Sequence, residues 1–105
     1  MEKGACIILT SVETEADGLK LAKGVVKEGL AACVQLSAAG KSTYYWQGKL
    51  QCESEHYLSI KTTEAASEAV IAWLKRHHPY ETPEILRLSA ESSRAYLEWM
   101  RATTS

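Results

Sequence analysis

Neither sign of charge dominates this chain of 105 residues: 12 Lys and Arg stand against 13 Asp and Glu, for a formal net charge of −1. No basic run and no RNA-binding aromatic motif occurs, so nothing draws it electrostatically to nucleic acid. Cysteine is scarce. Cys6, Cys33 and Cys52 are an odd number without CxxC spacing, which argues against a disulfide framework and a structural zinc site. Cys33, inside LAACV, reads as a reduced, half-buried apolar residue. No stretch approaches the roughly 20 apolar residues of a membrane span. The N-terminal MEKGACIILTSV has too short an apolar run for a signal peptide, and no small-residue cleavage site follows. The expectation is a cytoplasmic protein without a membrane partner. GxSxG, Walker, HExxH and zinc-deaminase patterns are all missing, so no enzyme is expected. Linkers and low-complexity tracts are absent too. A single domain over residues 1–105 follows, with 46% apolar residues to build one core.

Proline is rarer still, and both copies, Pro79 and Pro83, fall in HHPYETPE, residues 77–84. Pro79 removes a backbone donor and ends a helix; Pro83 biases Thr82 toward extended geometry before a short apolar run. His77, His78, Tyr80, Glu81 and Glu84 are thereby gathered on a rigid connector, where binding groups tend to concentrate. A plain helix stop, with histidines favoured by the helix dipole, is the simpler reading.

Periodicity supplies the rest. ACIILTS, 5–11, is apolar on both alternating faces, with Ile7 and Leu9 on one and Cys6 and Ile8 on the other; such a strand needs cover on both sides. Thr14 caps a helix over 14–28, with Leu19, Ala22 and Val26 as its stripe, widened by Leu21 and Val25. Gly18 and Gly24 weaken it by about 1 kcal/mol each relative to Ala. A strand at 30–36 is interrupted by SAAGK and resumed by STYYW to Trp46. After Gln47-Gly48 a strand over 49–62 places Leu50, Cys52, His56, Leu58 and Ile60 on its inward side. Thr63 caps a helix over 64–77 with the stripe Ala66, Val70, Trp73 and Leu74. A strand over 84–89 follows, then a helix capped by Ser92 or Ser93, with Tyr96, Trp99 and Met100 at helical spacing.

The order β-α-β-β-α-β plus a terminal helix predicts an α+β, ferredoxin-like antiparallel sheet, its four strands in spatial order 4-1-3-2. Residues 49–62 would span on the order of 45 Å when extended, against a diameter of about 30–35 Å for such a domain. The hairpin should therefore overhang, with Tyr44, Tyr45 and Trp46 at its tip, and pair with another copy of the chain.

LAACV at 30–34, STYYWQGK at 42–49, LSIKTT at 58–63, HHPYETPE at 77–84 and AYLEW at 95–99 agree in order and spacing with one family. The chain resembles the CutA family, the divalent-cation tolerance proteins. The resemblance implies a ferredoxin-like fold, a homotrimer with strand pairing between subunits, and no catalysed reaction. It also implies a part in tolerance of divalent metal ions, copper especially.

His78 matches the histidine of the family's HPY motif. With Glu81 and Glu84 it is the expected metal site, with no obligatory cofactor but a possible Cu2+ ion. Thr10 stands where some relatives carry cysteine, which removes a soft ligand. Cys52 and His56 share a strand face but lie about 13 Å apart along it, too far to chelate one ion. The alternative is a PII-like small-ligand or signalling trimer. Its pocket for a small anion or metabolite would lie at the subunit clefts, lined by Tyr44, Trp46, Lys61, Tyr80 and Glu84. The same aromatics would also suit burial in a subunit contact.

Overall fold

A computed structural model describes residues 1–104. β-Branched and apolar residues carry β1 (Glu2–Val12) through the middle of the sheet; it pairs antiparallel with β4 (Lys49–Thr63) on one side and β5 (Leu86–Ser92) on the other. β2 (Cys33–Leu36) adds to the far side of β4. The strand path is β2-β4-β1-β5, with β3 (Gly40–Trp46) pairing the outer part of β4. The interruption expected at SAAGK is a full break, so that β2 and β3 are separate strands. The break has a physical cause: Ser37 turns its Oγ to accept from the Tyr57 N–H, and its own N–H bonds the Tyr57 carbonyl.

Helices α1 (Glu15–Lys27) and α2 (Glu64–His77) cover one face. Thr14 and Thr63 cap them, their hydroxyls accepting from the Asp17 and Ala66 N–H groups. The main core joins Cys6, Ile8 and Val12 of β1 and Leu58 and Ile60 of β4 to Leu21, Val25, Val70 and Leu74 of the helices. The α1 stripe lies one step round from the expected one: Gly18, Leu21 and Val25 are buried, whereas Leu19 and Val26 are exposed. Close approach explains the rotation and the otherwise costly glycines. A Cβ on Gly24 would lie 2.7 Å from the Trp73 ring, and one on Gly18 2.6 Å from Leu36. The helix surrenders propensity there in exchange for packing.

On the other face α3 (Arg94–Thr103), capped by Ser93, lays Leu97 and Met100 against Ala5. It covers only one end of the sheet. Ile7 and Leu9 stay half-buried and Leu86 and Leu88 exposed.

β3 and the first half of β4 run beyond the end of β1 as a two-stranded ribbon. The register with β1 stops at Val12↔His56, while that with β3 continues from Gly40↔Glu55 out to Trp46↔Lys49. Gln47 and Gly48, at φ 51° and 77°, close it, the left-handed pair that a two-residue hairpin turn demands. The ribbon stretches the molecule to 45 × 25 × 23 Å. Leu50 and Cys52, expected to point inward, are exposed because no helix reaches this far.

Candidate functional site

Where the ribbon leaves the sheet, the connector between α2 and β5 folds over the end of β1. Pro79 stops α2, and the last helical hydrogen bond is His78 N–H to the Leu74 carbonyl at 2.8 Å. His78 then turns its ring onto β1. Nε2 lies 3.0 Å from both the Ser11 carbonyl and Thr10 Oγ1, and Nδ1 accepts the Tyr80 N–H at 3.1 Å. A carbonyl only accepts and an N–H only donates, so these contacts require the neutral ring with its proton on Nε2. Burial pushes the His78 pKa down, partly opposed by the bond to Ser11.

Fixing His78 fixes Tyr80. The two rings lie 5.0 Å apart, and the Tyr80 hydroxyl donates to Glu55 Oε2 at 2.8 Å. Ser11 Oγ donates to the same oxygen at 3.2 Å. Glu55 is the ribbon residue of β4 nearest the sheet, one before the final β1 pair Val12↔His56, and is 8% exposed. Partial burial and the bond to Glu55 push the Tyr80 phenol above its ordinary range. Tyr44 across the cleft also shifts upward, from desolvation first and then the charges of Glu53 and Glu55.

Together these groups enclose a cleft of about 650 Å³. Tyr44 and Trp46 come from β3, Glu55 and Ser11 from the sheet, and Tyr80, Glu81 and Glu84 from the connector. Three carboxylates line it, and among the described residues no Lys, Arg or His does. The structure therefore brings together Tyr44, Trp46, Tyr80, Glu81 and Glu84. Lys61 is elsewhere: it lines a smaller cavity of about 170 Å³ with Ala5 and Tyr96, on the α3 side of the sheet. Glu55 was invisible to pattern reading, being one more polar residue on the outward side of a strand. Only the pairing of β4 with the end of β1 reveals it as an inward carboxylate.

Soft donors do not reach the cleft. Cys6 is buried in the core and Cys52 exposed on the ribbon. Both ring nitrogens of His78 are already bonded, and His77 stacks on Trp73 at 4.3 Å. Among the described residues no group of three or more His, Cys, Asp or Glu side chains could hold a metal ion. What the cleft offers a metal ion is oxygen, from carboxylates and hydroxyls.

An α+β protein with a five-stranded antiparallel sheet, three helices and an acidic cleft at the root of a projecting ribbon is the class so defined. The chain matches the family described as "CutA1 divalent ion tolerance protein" over residues 6–103. It is 40% identical over 100 residues to the divalent-cation tolerance protein CutA of Yersinia pestis, covering 94% of this chain and 84% of that one. The solved CutA of Synechococcus elongatus superposes with a TM-score of 0.92 at 41% identity, over 97% of this chain and 91% of that one. A divalent cation tolerance protein of Thermus thermophilus gives 0.90 at 38% identity, over 96% and 99%. The chain belongs to the CutA divalent-cation tolerance family.

Proposed function

We propose that this protein acts in divalent-cation tolerance by taking up a divalent ion, copper among them, at the connector, as a homotrimer in the cytoplasm. The observation that carries the reading is the cleft's charge: Glu55, Glu81 and Glu84 line it and, among the described residues, no basic side chain does. Glu81 and Glu84 supply the exposed oxygen donors. His78 joins them only by giving up a present bond, either Nδ1 from the Tyr80 N–H or Nε2 from Ser11 and Thr10. That cost, and the scarcity of soft donors, make the binding weak. A small anion is not favoured in the same cleft, since Lys61, its expected counter-charge, lines a different cavity.

Calorimetric titration with Cu(II) tests the assignment. The double variant Glu81→Gln, Glu84→Gln is expected to bind about tenfold more weakly, on the order of 1.4 kcal/mol for two nearby charges removed near the surface. His78→Ala should lower affinity less. Three indistinguishable isotherms would remove the connector from the metal site.

A further inference from the structure

The cleft is much larger than an ion and its ligands require, and its aromatic walls have no part in holding a metal. We infer that it is a binding site for a small organic compound carrying a primary ammonium group.

Four features converge on that chemistry. The volume of about 650 Å³ lies within the range of small-molecule sites, roughly 300–1,000 Å³. Tyr44, Trp46 and Tyr80 bring three aromatic side chains to its walls, and ring faces attract a cation most strongly where water is partly excluded. Glu55 sits beside Tyr80 and near Tyr44, 8% exposed. Its Oε2 takes both hydrogen bonds, from Tyr80 and Ser11, while Oε1 has no hydrogen-bond partner among the described residues. Among those residues no buried side-chain oxygen or nitrogen is left unpaired, so Oε1 is not sealed off and opens to the cleft. It is a prepositioned acceptor on an otherwise enclosed side chain. An ammonium, with three donors and no acceptor, complements it, and Glu81 and Glu84 at the rim add attraction.

A guanidinium or quaternary ammonium would also meet the aromatic faces. The primary ammonium is preferred because a single free carboxylate oxygen suits a compact donor rather than a planar fork. The site does not depend on metal uptake, for Glu55 and the aromatics carry it without the outer carboxylates.

Titration of the full chain with butylammonium chloride, in EDTA and followed by ligand-observed NMR, tests the inference. Butanol serves as the neutral control and sodium chloride as the ionic one. Binding is expected in the millimolar range or tighter, with butanol at least about tenfold weaker. Glu55→Gln keeps an acceptor for Tyr80 and Ser11 while removing the charge, and should weaken binding about tenfold. Tyr44→Ala, at an exposed position of the ribbon whose phenol feels the Glu55 charge, should weaken it about threefold to tenfold without unfolding the protein. Butanol binding as well as butylammonium, no binding up to about 10 mM, or an unchanged affinity in Glu55→Gln would each overturn the assignment. EDTA separates this outcome from the Cu(II) titration, so either site can fail while the other stands.

Discussion

Light scattering on the purified protein is expected to report a mass near three times that of the 11.6 kDa chain, and Leu88→Asp is expected to reduce it to that of one. The physical basis is the half-covered sheet. Leu86 and Leu88 of β5 are 54% and 49% exposed, and in register they flank Leu9 and Ile7 of β1. Tyr57 of β4 continues the patch beside Ser11. Each aliphatic side chain of this kind is worth about 1.5–3 kcal/mol when fully buried, so a second copy's sheet is a favourable cover. The ribbon adds a second motive. Between Lys49 and Glu55 the β4 edge beyond β1 carries no partner strand among the described residues, and unpaired edges recruit strands. Closure at three comes from the family resemblance; the patch and the edge by themselves would serve a dimer equally. Asp at position 88 places a charge without a partner in the contact, at a cost of several kcal/mol, while leaving the helix-side core untouched. A wild-type monomer at micromolar concentration would sink the proposal. A Leu88→Asp protein that still assembles would move the contact to the ribbon alone.

How much of this was legible beforehand depended on whether local rules were in control. The helices were, because Thr14 and Thr63 cap them and the Ala66, Val70, Trp73, Leu74 stripe repeats at helical spacing. So was the connector, since two prolines bracket it. The phase of α1 was not: Leu19 and Val26 are as apolar as Leu21 and Val25, and only the contacts of Gly18 and Gly24 with Leu36 and Trp73 decide which side turns inward. Alternation along β4 correctly faced Leu58 and Ile60 to the core. It misplaced Leu50 and Cys52, because period-two patterning assigns a face without saying where that face ends. α3 shows the same weakness: Leu97 and Met100 are buried, while Tyr96 and Trp99, equally apolar by pattern, are exposed. The cleft was half legible. Its aromatics and connector carboxylates stood out by residue type, but Glu55 enters through a long-range pairing, and Lys61 leaves for the same reason.

His78→Ala is expected to lower the unfolding free energy by about 2–4 kcal/mol, because it strips partners from several groups at once. The Ser11 carbonyl, Thr10 Oγ1 and the Tyr80 N–H all lose a bond. With the connector unpinned, the Tyr80 hydroxyl no longer arrives at Glu55 on a fixed path. The wild-type dependence on pH follows from the depressed His78 pKa. In the folded state the ring is held neutral, whereas in the unfolded chain it takes a proton near its ordinary value of about 6.5. Just below that pH the unfolded state therefore binds more protons, and stability falls as the pH drops. The contribution is fully present above about pH 6.5 and declines until the folded-state pKa is passed. Protonation has a definite structural target, since a proton on Nδ1 can no longer accept the Tyr80 N–H. Urea unfolding midpoints between about pH 8 and 5 should slope downward for wild type below about 6.5 and flatten there for His78→Ala. Equal slopes in the two proteins would show that another group carries the acid sensitivity. A His78→Ala protein as stable as wild type at pH 8 would show that the ring is not what holds the connector on β1.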